Sequence, residues 1–279
     1  MAKSRDKDGK LQPDPIRFPS GMANLSAYVH SKGLKIGIYE ASGGGTCCGF
    51  PGTDGPNHAV ADVDSFSAWN IDMLKWDGCG PGGPAGDYNI SYTAMYEALT
   101  RPHIRPMVYS CSWPAYINIP GTCFGHPEGC DFANVQGGYG YLAKICNMWR
   151  LYSDITDEYS SGVGNPMGFA DIAKYWALKQ DELVPFNGPG HWNDPDMIEI
   201  GNDGQWGAKG NLTVAERRSH MALWCGPPVH TCAPTAPLVA HGCALLQVRV
   251  RCAADPGRGR AYDDGRGHPN RLQPTPAPH

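Results

Sequence analysis

Short apolar runs recur along the chain at near-constant spacing. Leu34–Tyr39, Ile71–Trp76, Pro106–Tyr109, Met148–Ile155 and a segment ending near His191–Met197 are each brief, and polar residues follow them. That is the pattern of strands buried in a parallel sheet. Their starts lie 35 to 43 residues apart, room for one strand and one helix per repeat. Helical spacing predicts helices over Gly21–Ser31, Val63–Ala68, Tyr92–Leu99, Gly168–Lys179 and Val214–Trp224. Alternating strands and helices predict a parallel α/β fold. A doubly wound sheet fits the same rhythm, but no G-x-G-x-x-G follows any strand, so no dinucleotide site is expected.

Composition changes the picture at the C-terminal end. Residues 227–279 hold six Arg, no Lys, nine Pro and none of Ser, Ile, Phe, Met, Trp or Glu, while the whole chain of 279 residues has a net charge of −4. This predicts a domain over 1–226 and a Pro/Arg-rich tail over 227–279 that does not pack. The charge balance points to no nucleic-acid surface. No apolar run has the ~18–20 residues of a membrane helix, so no membrane partner is expected. Eleven Cys and the sequons at Asn24, Asn89 and Asn211 favour an oxidising compartment. Residues 1–20 carry no apolar leader, so no signal peptide is expected within them and the start is expected to be missing.

The candidate chemistry lies where the strands end. The first run ends in Glu40, the second in Asp77-Gly-Cys, the third in Cys111-Ser-Trp-Pro, the fourth in Asp154 and the fifth in His191-Trp-Asn-Asp-Pro-Asp-Met. Polar groups at successive strand C-termini build the site of a (β/α)8 barrel. Carboxylates mixed with Trp and Tyr suit a sugar, whose ring faces stack and whose hydroxyls bond to acids. Lys75 and Asp77, two apart on a strand, point the same way. The ammonium would keep the carboxylate ionised, as a nucleophile needs. Asp154, four after Arg150, is a candidate acid. Two carboxylates ~5–5.5 Å apart would give retention and ~6.5–9.5 Å inversion. Asp77-Gly also reads as a turn, and Asp154 as a helix N-cap. The Cys123–Cys130 segment with His126 is one ligand short of a zinc site and reads better as a disulfide loop.

FPSGMANLSAYVHSKGLKIGIYE, CCGFPGT, DMLKWDGC, YSCSWPAY, ICNMWRLYSDI and GPGHWNDPDMIEIGN, in that order and spacing, resemble the melibiase-type glycoside hydrolases, the α-galactosidases and α-N-acetylgalactosaminidases. The resemblance covers residues 11–226 and implies a (β/α)8 barrel and a retaining exo-glycosidase. It implies Asp77 as nucleophile and Asp154 as acid and then base. Tyr39 and Lys75 would hold sugar hydroxyls and position Asp77, and Tyr116 would bind substrate. Arg150 would hold the substituent at the 2-position, and Trp113 and Met197 would wall the pocket. Cys47 would bond Cys79, and Cys111 would bond Cys146. The resemblance further implies a carbohydrate substrate, no metal or organic cofactor, a homodimer for full-length members, and a secreted, lysosomal or vacuolar location. Where galactosidases carry Glu and a bulky residue, this chain has Ser112 and Ala115. That is the N-acetylgalactosaminidase pattern, and small side chains leave room for a 2-acetamido group.

The resemblance starts after the family's second strand and stops before its eighth. The chain is thus expected to hold strands three to seven of an incomplete barrel, truncated at both ends, with two exposed sheet edges. The family's sugar-binding Asp-Asp-Cys-Trp run is not found. The expected activity of 1–279 by itself is therefore low, and the alternative is an inert or merely sugar-binding fragment.

Overall fold

The computed structural model describes residues 1–79, 88–118, 132–134, 137–161, 166–202, 210 and 212–225. All of these belong to one unit. The tail expected from Pro227, the Cys123–Cys130 segment and the Asn211 sequon lie outside them. The sheet has five parallel strands in sequence order, β1 (Gly37–Ala41), β2 (Met73–Asp77), β3 (Val108–Cys111), β4 (Met148–Arg150) and β5 (Trp192–Asp194). Each connection carries helix: α2 (Pro56–Ala68), α3 (Tyr88–Leu99), α4 (Trp113–Asn118) with α5 (Gly138–Ile145), and α6 (Phe169–Leu183). Helix α1 (Gly21–Ser31) precedes the sheet and α7 (Val214–Cys225) follows it. Sequential parallel order with helical crossovers is the running order of a (β/α)8 barrel, of which this sheet is an incomplete part.

Register divides each strand between two faces. Tyr39 pairs Lys75, Lys75 pairs Ser110, Ser110 pairs Met148 and Arg150 pairs Asp194, so all of these side chains share one face. Leu74, Trp76, Tyr109, Cys111 and Trp149 take the other face and are buried. They join Val63 and Phe66 of α2, Tyr92 and Met95 of α3, Leu142 of α5, and Phe169 and Ile172 of α6 in one apolar cluster. Each fully buried large side chain there contributes about 2–3 kcal/mol. The core thus lies between sheet and helices, leaving the other face for chemistry.

The apolar runs located the strands, but the first three began two or three residues early. Leu34 is exposed, and pairing begins only at Gly37 with Met73. Just before β2, Asp72 accepts from the Ile36 N–H and meets His30, Lys35 and Arg105. This ion cluster ties the segments leading into the first three strands, and the Asp72 carboxylate takes the Ile36 N–H while the Ile36 carbonyl accepts from the Asp72 N–H. Burial alone would raise the Asp72 carboxyl, but His30, the Ile36 N–H and Arg105 together hold it down at about 2. The fourth strand was expected to run to Ile155 and stops at Arg150. Arg150 Nη2 donates to the carbonyls of Tyr152 and Ser153, which curls the chain off the sheet. Helix α2 begins seven residues earlier than expected. Gly55 at φ +58° is its N-cap and Pro56 sits in its first turn, as Pro's fixed φ favours.

Glu40 was read among the polar strand ends, but the alternation turns it away from Tyr39 and into the helix layer. It is 1% exposed. Nearby, Asp62 is clasped by both guanidinium nitrogens of Arg5, at 2.6 and 2.7 Å, and accepts from the Thr53 hydroxyl. Burial, helped by the Asp62 charge, pushes the Glu40 carboxyl up to about 8, against the Ala41 N–H and Arg5. The folded state therefore holds this proton more tightly than the unfolded chain. Its stabilising contribution is complete below pH ~4.5 and is lost as pH rises through about 8. The expected slope approaches ~1.4 kcal/mol per pH unit between those limits. Glu40→Gln keeps the shape and removes the proton. Urea unfolding of both proteins from pH 5 to 9 should give a stability difference that grows in the variant's favour, and a pH-independent difference would refute the assignment.

Candidate active site

Asp77 ends β2, and its carboxylate is held by three donors. The Tyr39 hydroxyl reaches Oδ2 at 2.9 Å, the Tyr116 hydroxyl reaches Oδ1 at 2.7 Å, and the Gly78 N–H reaches Oδ1 at 2.8 Å. Donation to both oxygens stabilises the anion and fixes its plane. Tyr39 arrives from the neighbouring strand and Tyr116 from α4. Burial and the Asp77 charge keep both phenols protonated, well above the ordinary tyrosine range. The Asp-Gly pair read as a turn has another reason for its glycine. A Cβ at Gly78 would lie 2.6 Å from the Tyr116 ring, so any side chain there would displace one of the three donors.

Lys75 shares the face of Asp77, as the two-residue spacing predicts. Its ammonium sits over the Tyr39 ring, 5.8 Å from the centroid. The two phenols and one N–H supply the direct hydrogen bonds to Asp77.

The loop after β1 runs alongside the extension of β2. The Ser42 N–H donates to the Asp77 carbonyl and the Gly43 N–H to that of Cys79. A Cβ at Gly52 would fall 2.1 Å from the Gly43 carbonyl, so this loop packs only with glycine there. It delivers Cys47 to Cys79, and the two form a disulfide with Cα atoms 5.2 Å apart. Cys111 and Cys146 form the second expected disulfide. Cys48, unplaced in the sequence, is also disulfide-bonded. Cys47 Sγ and Cys79 Sγ lie 3.7 and 3.9 Å from Asp77 Oδ2. Among the described residues this trio is the one His/Cys/Asp/Glu group close enough to share a metal ion. As a disulfide its sulfurs are not the thiolates that bind metals.

The second carboxylate cluster surrounds Arg150, whose side chain is 4% exposed. The guanidinium lies 2.9 Å from Asp196 Oδ2 and 3.2 Å from Asp154 Oδ1. Burial alone would lower its pKa, but Asp196, Asp154, Asp194 and Asp77 raise it above the ordinary arginine value. Burial pushes the Asp194 carboxyl up despite Arg150. The Asp154 side chain is 51% exposed and stands four residues beyond the strand rather than at its end. No helix begins there, so the N-cap reading of Asp154 is set aside.

Asp196 was given no role beyond its place in the polar run at the fifth strand, yet it organises this cluster. Its Oδ2 accepts from the Ile155 N–H, its carbonyl accepts from the Trp224 indole, and its φ is +81°. A non-glycine residue in that region persists only where its surroundings over-determine it. The available signal was the Asn-Asp-Pro-Asp run itself, which begins inside β5 and carries polar residues past its end.

The remaining expected residues divide. Ser112 and Ala115 are buried beside Tyr116, and the Ser112 and Ser110 hydroxyls have no protein partner. Met197 is half-buried after Asp196. Trp113 corrects the expectation of a pocket wall. It is 2% exposed and packs on Tyr92 and Phe132 at 5.8 and 5.1 Å, supporting α4 from behind.

A family profile described as alpha galactosidase A matches residues 1–235. The alpha-N-acetylgalactosaminidase of Gallus gallus is 39% identical over 255 residues, covering 88% of this chain and 55% of that protein. The Homo sapiens alpha-N-acetylgalactosaminidase is 42% identical over 220 residues, covering 79% and 46%. The alpha-galactosidase I structure from Mortierella vinacea superposes with a TM-score of 0.62 at 27% identity, covering 80% of this chain and 52% of that one. The chain therefore spans about half the length of the curated relatives it matches.

Proposed function

The chain belongs to the alpha galactosidase A family, and from that premise we propose that residues 1–226 form part of the catalytic barrel of a retaining exo-glycosidase. The observation that carries this is the clamped Asp77, a carboxylate fixed at both oxygens by protein donors at a strand end. Its face also bears Arg150, which contacts the half-exposed Asp154. Asp77 attacks the anomeric carbon and expels the aglycone, to whose oxygen Asp154 gives a proton. Asp154 then takes a proton from water, which releases the sugar from Asp77 with its α configuration restored. The Tyr39 and Tyr116 donors orient the Asp77 carboxylate for attack. The two disulfides suit a secreted or lysosomal setting.

The favoured substrate is a terminal α-linked N-acetylgalactosamine, with α-galactosides as poorer substrates. Ser112 and Ala115 leave space where a 2-acetamido group would sit, and the unpartnered Ser112 hydroxyl can meet a polar group there. Ser112→Glu with Ala115→Leu should move the ratio of kcat/KM values toward the α-galactoside by about 10²-fold, the range that steric and hydrogen-bond discrimination supplies. An unchanged ratio would remove these two residues from the selectivity account.

The mechanism is tested by single-turnover labelling, which needs no sustained rate. An α-galacto-configured cyclitol epoxide should form one ester, and peptide mass mapping should find it on Asp77. A label on another carboxylate, or none, would refute the nucleophile assignment.

A further inference from the structure

We propose that reduction of the Cys47–Cys79 disulfide turns the Asp77 pocket into a zinc site with two thiolates and one carboxylate as ligands. Three observations point there, and none depends on the glycosidase reading.

The first is ligand chemistry. Two cysteine sulfurs and a carboxylate form a donor set suited to Zn²⁺, and three protein ligands leave the fourth tetrahedral position for water. The second is spacing. With Zn–S at ~2.3 Å and Zn–O at ~2.0–2.2 Å, tetrahedral geometry sets S···O at about 3.5 Å. The two sulfurs already lie 3.7 and 3.9 Å from one oxygen, Asp77 Oδ2. The sulfurs themselves need to separate by under ~2 Å from a disulfide bond to a shared metal. Side-chain rotation supplies that from Cα atoms 5.2 Å apart. The third is selective access. Cys47 is exposed, whereas Cys111 and Cys146 are both buried. A water-soluble reductant therefore reaches the pocket disulfide before the Cys111–Cys146 pair.

The chemistry balances with a trialkylphosphine as reductant. Phosphorus attacks one sulfur and breaks the S–S bond. Water then supplies the oxygen of the phosphine oxide. Phosphorus loses two electrons, and the two sulfurs gain them with the two water protons. Zn²⁺ binding releases both thiol protons to the buffer. Asp77 Oδ2, which accepts from Tyr39 in the oxidised protein, becomes a metal ligand and is no longer available as a base or nucleophile.

The test uses the full chain, mildly reduced with phosphine, and Zn²⁺ as the probe. Iodoacetamide alkylation of each cysteine is followed by peptide mass mapping. Equimolar Zn²⁺ is expected to slow alkylation of Cys47 and Cys79 at least tenfold and to leave the tail cysteines little affected. Asp77→Asn should weaken that protection by about tenfold or more in Zn²⁺ affinity, and Asp77→Glu should restore part of it. Equal protection in Asp77→Asn would overturn the carboxylate's part, and no protection of Cys47 and Cys79 in the unaltered chain would overturn the site. Should the substitutions disturb folding, Co²⁺ added to the reduced unaltered chain decides. A thiolate-to-cobalt absorption band that Cys47→Ser abolishes supports the site, and its persistence in that variant refutes it.

Discussion

Asp77→Asn is expected to lower hydrolysis of an aryl α-N-acetylgalactosaminide by at least ~10⁴-fold, equivalent to about 5.5 kcal/mol of transition-state stabilisation. An amide is isosteric with the carboxylate but does not form the glycosyl ester, so the loss should fall on kcat with KM little changed. Folding should survive, because Tyr39 and Tyr116 can rotate their hydroxyls to suit an amide at the same position. The decisive companion is Asp77→Ala with added azide. A small anion fitting the vacated space should restore part of the rate and release a β-glycosyl azide, the inverted product, visible by proton NMR. Asp77→Asn retaining more than about a hundredth of the parent rate would exclude it as nucleophile. So would an azide-independent rate in Asp77→Ala.

The strand-to-helix rhythm was legible because five apolar runs are separated by enough chain for a crossover each, and the solved relatives share that architecture. The strand starts were less legible. Leu34 and Ile36 look like strand residues, but Leu34 is exposed and the Ile36 N–H is taken by Asp72, in an ion cluster that joins side chains from four separate segments. Within the site, Tyr39, Asp77 and Tyr116 were named from the sequence, and the structure brings them together. Asp196 was missed because its role rests on long-range partners. Arg150, Ile155 and Trp224 are 28 to 46 residues away in sequence, and local turn chemistry describes the same Asp equally well. Glu40 was misread for a simpler reason. If Tyr39 faces the site, the pleat sends residue 40 to the helices, and a buried carboxyl there needs the protonation that burial imposes.

Arg150→Met is expected to destabilise the fold by about 3–5 kcal/mol, the cost of leaving a buried ion partner uncompensated. The guanidinium is the cation against which Asp196 is buried, and it offsets part of the burial penalty on Asp194. Methionine fills much of the volume, so the loss measures charge and hydrogen bonding more than a cavity. It should come with disorder in residues 151–155, since Arg150 also holds the carbonyls of Tyr152 and Ser153. Asp154 would then lose both its contact and the loop that presents it, which ties the stability of this cluster to proton transfer. Urea unfolding of Arg150→Met, Asp196→Asn and the double variant separates these effects. The double variant should be less damaged than the sum of the singles by about 1–3 kcal/mol, because removing the carboxylate relieves the charge that removing the arginine exposes. Strict additivity would mean that Arg150 and Asp196 do not depend on each other, and the cluster would then owe its order to the Trp224 and Ile155 contacts alone.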